Sequence, residues 1–374
     1  MHEAELFPTM VIGSLPRPRW VLDLVRAREA GLIGEERFQA AIDPAVRFAI
    51  ALQEHADIDV IADGEWRRLT YFTGFARAVQ GFAPDVIGVT LLDGTTRRWP
   101  GVVDRLRYAG PIALDEVRFL KAHTTRRVKA TLPSPYMVER WFYDPDESRG
   151  AYPTRDELVR DAADVLRREV LALRDLGVDI IQFDDAMMGR FVGEVYNPTG
   201  TNPKVRISMA DRDRELEMAV WGLNRTLQGI DGVTTALHVC RGHRARRHAA
   251  QGGFEPIVPY LYRCQVDILA LELAAPDSGG VETLGDFPPE KRLGLGVIDV
   301  LSPDVDDVET VKRRVASALR RLHPSQLILN PDCGFAPGSD NPISLDEAYL
   351  KLKAVSAAAR ELREEEGQKQ ERSR

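Results

Sequence analysis

Eight short apolar runs constrain this 374-residue chain more than any other feature. They are Thr9–Gly13, Asp57–Ala62, Val128–Leu132, Val178–Phe183, Thr234–Val239, Val266–Glu272, Leu293–Val297 and Gln326–Asn330. Each is near-continuous rather than alternating, which suits strands covered on both faces of a parallel sheet. Helical patterns lie between most of them. Arg155–Leu176 carries apolar residues at 158, 162, 165, 166, 173 and 176, one stripe of a helix. Thr154-Arg155-Asp156-Glu157 has capping-box spacing, and Gly177 stops the helix. Asp307–Leu322 repeats the plan, and Ser344-Leu345-Asp346-Glu347 caps a last helix running to about Glu366.

Alternating strands and helices in this number predict a (β/α)8 TIM barrel, with a helical stretch over about 19–56 as the first crossover. Residues 81–125 form an insertion between the second and third strands. Its Leu92-Asp93-Gly94-Thr95 is a hairpin signal, so a β-ribbon is expected there. Residues 1–366 then form one catalytic barrel, and the charged tail 367–374 (GQKQERSR) is expected to be disordered. A doubly wound open sheet is the weaker alternative, because no G-x-G-x-x-G follows an early strand.

A formal charge of -7 leaves no electrostatic footprint for nucleic acid or an anionic membrane. The cluster Arg244-Ala245-Arg246-Arg247 reads as a solvated helix face. No apolar run reaches membrane-spanning length, and MHEAELFPTM is not a secretory signal. Three scattered cysteines form no disulfide framework and fit a reducing cytoplasm.

In such a barrel the strand C-termini build the active site. Those ends carry Ser14, then Asp63-Gly64-Glu65-Trp66-Arg67-Arg68, Asp184-Asp185, His238-Val239-Cys240, Glu272, Asp299 and Pro331-Asp332-Cys333. His238 and Cys240 are two apart and face the same way on an extended strand. With Cys333 and Glu272 they offer an imidazole, two thiolates and a carboxylate, all of which zinc accepts. The same residues also fit a bland reading, with the thiols as small buried groups and His238 as a core histidine. A third reading pairs Cys240 with His243 as nucleophile and base. Cys264 reads as structural.

These residues resemble the catalytic barrel of the cobalamin-independent methionine synthase family. The likeness is carried by Ile12-Gly13-Ser14-Leu15-Pro16, Gly64-Glu65 with the arginines after it, Ile181-Gln182-Phe183-Asp184, His238-x-Cys240, Glu272, Gly296–Pro303 and Asn330-Pro331-Asp332-Cys333-Gly334. The resemblance implies Zn2+ held by His238, Cys240, Glu272 and Cys333, with Glu272 loosening when a substrate sulfur arrives. It implies that Glu65 and Asp184 hold the ammonium of homocysteine, and the backbone near Ser14 its carboxylate. The implied activity is zinc-dependent alkyl transfer to a thiol, foremost methylation of homocysteine. Its partners are then a small-molecule thiol and an alkyl donor: a corrinoid protein, a methylated small molecule or a folate.

Two departures stand out. Leu301 occupies the position of the family's histidine proton donor, and leucine cannot protonate a leaving group. His243 is the candidate replacement. The Arg241-Gly242 continuation is similar to the single-barrel branch that includes epoxyalkane–coenzyme M transferases. The alternative function is therefore an epoxide–thiol transferase or carbon–sulfur lyase, in which Arg67 or Arg68 would hold a sulfonate. A zinc-binding barrel without turnover is the third reading, and the rim carboxylates speak against it.

Overall fold

Seven of the apolar runs hydrogen-bond side by side, all parallel. The structure is a computed structural model and describes residues 6–91, 94–338 and 342–372. In chain order the strands are β1 (Val60–Ile61), β2 (Val79–Thr90), β3 (Thr96–Tyr108), β4 (Arg127–Pro133), β5 (Ile180–Asp184), β6 (Thr234–Val239), β7 (His243–Arg244), β8 (Arg247–His248), β9 (Ile268–Leu271), β10 (Arg292–Ile298) and β11 (Leu327–Pro331). The main sheet runs β1-β4-β5-β6-β9-β10-β11. The segment at Thr9 and Met10 touches both of its edges, bridging Leu329 of β11 and Val60 of β1 in parallel. Met10 N donates to Leu329 O and Val60 N to Thr9 O, each at 2.9 Å.

The first two runs yield less strand than expected: β1 is two residues long, and the Thr9–Met10 segment pairs through single bridges. Asp59 Oδ2 accepts from both the backbone N–H and the hydroxyl of Thr9. Val60, Ile180, Ala236, Ile268, Ala270 and Ile328 pack with Met10 and Ile12 into one small buried cluster. Its members come from both edges of the sheet as well as its middle.

The helices are α1 (Arg19–Glu29), α2 (Glu35–His55), α3 (Thr73–Ala78), α4 (Leu114–His123), α5 (Pro135–Phe142), α6 (Arg155–Asp175), α7 (Arg212–Leu227), α8 (Val258–Leu261), α9 (Val308–Leu319) and α10 (Leu345–Arg372). The Thr154 hydroxyl caps α6 by accepting from Glu157 N. Leu158, Ala162, Val165, Leu166 and Leu173 form its buried stripe. Burying one such leucine or valine fully is worth about 1.5–3 kcal/mol. Asp307 caps α9 in the same way. The first crossover is two helices rather than one, broken by Gly31 at φ +68°.

The ribbon expected in the insertion is β2 with β3, antiparallel, and α4 follows it. Leu92 and Asp93 lie outside the described residues. Around them Leu91 N donates to Thr95 O, and Gly94 sits at φ +82°. Two expectations fail. The tail is helical through Arg372, because Glu, Gln, Lys and Arg have good intrinsic helix propensity. The arginine cluster is no helix face: β7 and β8 make a tight hairpin whose central Ala245 and Arg246 both have positive φ. Among the described residues no helix is long and apolar enough to cross a membrane.

Candidate metal centre

His238 and Cys240 leave β6 on one face, and Cys333 follows β11. Their ligand atoms all lie within 4.8 Å of one another, and all three residues are buried. His238 Nδ1 lies 3.0 Å from Ala270 O, so this nitrogen carries the proton and donates. Nε2 is buried and has no partner. An imidazole tied at one nitrogen and free at the other is how a protein orients a metal-binding histidine. Cys240 accepts a hydrogen bond from the Cys333 thiol, which holds Cys240 well below the usual thiol range and pushes Cys333 above it. Burial would lower His238, but Cys240 close to its ring, with the charges of Asp184 and Glu272 beyond, raises it to about 9. Two buried sulfurs and an unpartnered imidazole nitrogen converge within 4.8 Å of one another. A soft divalent cation such as zinc fits this donor set.

Glu272 falls outside the group of three. It lies one residue past β9, fully buried. Its Oε2 accepts from Arg241 N at 2.7 Å and Arg241 Nε at 3.2 Å, and His248 Nε2 stands 3.7 Å away. Its Oε1 is buried without a partner. Burial alone would raise its carboxyl, but hydrogen bonding and charge from His248 and Arg241 overcome this and hold it far below the usual range. Asp332 fixes the loop that follows: its carboxylate accepts from the backbone N–H groups of Leu273, Ala274 and Ala275, all at 2.9 Å. One side chain beside Cys333 thus ties the eighth predicted strand end to the loop carrying Glu272.

A cavity of about 1100 Å3, its open mouth included, lies over these residues. Ser14, Glu65, Asp184, His238, Cys240 and Cys333 all line it. Glu65 is held in the left-handed region at φ +59°, with Oε1 accepting from Thr131 Oγ1 at 2.9 Å and Oε2 buried without a partner. Gly13 makes room for it, since a Cβ there would stand 2.8 Å from Glu65 Oε1. Burial pushes Asp184 up to about 7, with Glu65 adding to the shift. Behind it Lys129 Nζ donates to Gln182 Oε1 at 2.7 Å, and Gln182 Nε2 donates to Asp184 Oδ1 at 2.6 Å. That chain orients Asp184. Ser14 Oγ accepts from Ala336 N at 3.2 Å, which joins the first strand end to the Cys333 loop. Two carboxylates facing a cavity can hold a cation.

Arg67 and Arg68 do not reach the cavity, contrary to the expectation that one of them holds substrate. Arg67 turns to Gln39 and Asp43 on α2. Arg68 forms a buried pair with Glu116 on α4 and donates to Thr131. His243 does line the cavity, with Nε2 donating to Gly334 O at 3.2 Å. Burial lowers its pKa, so it is a neutral imidazole near pH 7. A neutral ring fits a proton donor poorly. Leu301 is not among the lining residues.

The sequence reading missed Phe72, Trp99, Trp141 and Arg190, which also line the cavity. Trp99 alone left a trace, as a large aromatic on a mostly polar ribbon.

A model of the family "Cobalamin-independent synthase, Catalytic domain" matches residues 7–361. The chain belongs to this family. Among its relatives, a methionine synthase of Pyrococcus furiosus is 29% identical over 371 residues, covering 97% of this chain and 96% of the relative. A methionine synthase of Sulfurisphaera tokodaii is 30% identical, over 89% and 87% of the two chains. The solved structure of a B12-independent methionine synthase from Shewanella sp. W3-18-1, in complex with selenomethionine, superposes with a TM-score of 0.78 at 25% identity. It covers 96% of this chain and 98% of that one.

Proposed function

We propose that this protein is a zinc-dependent alkyltransferase that methylates a thiol, homocysteine first among them. The observation that carries this is the buried His238–Cys240–Cys333 group with His238 Nε2 unpartnered. We read the fold as a closed (β/α)8 barrel over about residues 1–366, with the Thr9–Met10 segment as its eighth strand, because that segment bridges both sheet edges. The three free thiols suit a reducing cytoplasm.

His238 Nε2, Cys240 Sγ and Cys333 Sγ would hold zinc, with Glu272 Oε1 as the fourth donor. When bound, zinc supplies a Lewis acid that lowers the pKa of an incoming thiol, so that a thiolate is available at neutral pH. The protein's own groups do the rest. Glu65 Oε2 and Asp184 take the ammonium of the acceptor and fix its sulfur's direction. Arg241 and His248 keep Glu272 ionised and give it somewhere to rest if it is displaced. Aromatic walls exclude water from the nucleophile. The epoxide–thiol alternative loses its proposed sulfonate partners, since Arg67 and Arg68 are committed to Asp43 and Glu116.

The test is product analysis by mass spectrometry. Zinc-loaded protein is incubated with homocysteine and a panel of methyl donors. Methionine formed with at least one donor, and lost with Cys240→Ser, is the expected result. Alkylation only from an epoxide would favour the alternative, and no zinc binding by reduced protein would end the proposal.

A further inference from the structure

One buried guanidinium joins the two loops that carry Glu65 and Cys333. Arg17 lies between Pro16 and Pro18, just before α1, and the residue ahead of a proline is held extended. Its side chain is buried. Nη1 donates to Glu65 O at 3.3 Å and to Arg68 O at 2.6 Å. Nη2 donates to Ala336 O at 3.0 Å and to Gly338 O at 2.8 Å. All four acceptors are backbone carbonyls, and Nε is buried without a partner among the described residues. Burial lowers this group to about 10, so it stays charged at neutral pH. A planar, charged fork fixes what it binds in direction as well as distance.

The loops also meet through the first strand end. Leu15 N donates to Gly64 O at 3.0 Å, and Phe335 N donates to Ser14 O at 2.8 Å. Gly334 lets the Cys333 loop come this close, because a Cβ there would collide with Ser14 Oγ. Glu65 sits in the left-handed region, at φ +59°, a conformation that persists only where neighbours hold it. Glu65 and Gly338 line the cavity, and Arg17 does not. Arg17 therefore acts on a substrate only through the backbone it grips: the Glu65 loop on one side and the loop after Cys333 on the other.

We propose that Arg17 is a positioning residue that sets the span between amine recognition at Glu65 and the sulfur held beside Cys333, and so selects the length of the acceptor thiol. An aminothiol one methylene too short or too long cannot satisfy both loops at once. The link to acceptor length rests on the proposed function; the joint between the loops does not.

The probes are cysteine, homocysteine and the homologue with one more methylene, each titrated calorimetrically into zinc-loaded protein. All three carry the same amine and thiol and differ only in span. Wild type should prefer one length over its neighbours by roughly tenfold or more, the worth of one misplaced methylene. Arg17→Met should shrink that preference to less than about threefold at wild-type zinc content, and Arg17→Lys, which keeps the charge but not the fork, should fall between. If Arg17→Met does not fold, Arg17→Lys decides. A merely structural role would weaken all three thiols alike and leave the preference standing, which overturns the proposal; so does a wild type that binds all three equally. Hydrogen exchange on the same proteins, with no thiol added, should show the amides of Arg68, Phe335 and Ala336 speeding up together in the variant. Loosening of one loop alone overturns the joint. A preferred length other than that of homocysteine, or a joint that loosens in a protein that binds no thiol, would sink the proposed acceptor and leave the joint standing.

Discussion

Two sets of residues lining the cavity are built by different rules. In the first, Ser14, Glu65, Asp184, His238, Cys240 and Cys333 all sit at or just past the end of a strand or strand-like segment. Strand ends fix their direction, and second partners lock them, as Ala270 O does for His238 and Gln182 for Asp184. In the second the groups come from a ribbon, a short helix and a 3-10 turn, and only packing brings Trp99, Trp141 and Arg190 together. The first set is a property of the parallel sheet and its strand order. The second is a property of the insertion and loops.

The two sets should respond differently to mutation. Cys333→Ala should have the largest effect. It removes one of two thiolates, which costs zinc about 3 kcal/mol or more, a loss above ~100-fold in affinity. Zinc content after dialysis and alkylation rate should both collapse, and a variant that keeps its zinc would break the assignment. Next, Arg68→Met should destabilise the fold by about 3–5 kcal/mol in urea unfolding, because it strands the Glu116 carboxylate. That places Arg68 on the structural side of the comparison.

Asp63 carries a pH signature. Burial raises its carboxyl to about 6, from 3.8, while its Oδ1 accepts from Glu65 N. The folded protein thus holds this proton longer than the unfolded chain. Its contribution to stability is full below pH ~4 and is lost as pH rises through about 6. Asp63→Asn keeps the acceptor and removes the titration. Relative to wild type, the variant should gain up to roughly 3 kcal/mol between pH 4 and 8, read from unfolding curves. An unchanged difference across that range would contradict the cause given.

Glu65→Gln should raise KM for homocysteine ~10–100-fold and leave 3-mercaptopropionate, which lacks the ammonium, nearly untouched. Equal effects on both thiols would remove Glu65 from amine recognition. The smallest effect on stability belongs to Arg190→Met. No carboxylate depends on this arginine, so unfolding should change by less than ~1 kcal/mol or shift upward. Set beside Arg68→Met, it separates a guanidinium tied into a buried ion pair from one without a carboxylate partner.

Much of this is legible in the sequence. The i, i+2 spacing of His238 and Cys240 puts both on one strand face, and the apolar runs locate most of the strands. The capping box at Thr154 marks where α6 starts. The length of the early strands is not legible there, since the apolar runs do not show that only Val60–Ile61 and two single bridges pair. Arg67 and Arg68 were misread because a positive charge near a strand end says nothing about Asp43 or Glu116 across the interface. Arg190 escaped notice because its isolation is a fact about absent neighbours, and sequence records only those that are present.

The central claim is that His238, Cys240 and Cys333 hold a thiol-activating zinc. Zinc K-edge X-ray absorption on the reduced, zinc-loaded protein tests it most directly. Two sulfur neighbours with nitrogen and oxygen completing the shell, rising to three sulfurs when homocysteine is added, is the predicted result. A shell without sulfur, or one that homocysteine leaves at two sulfurs, would contradict it.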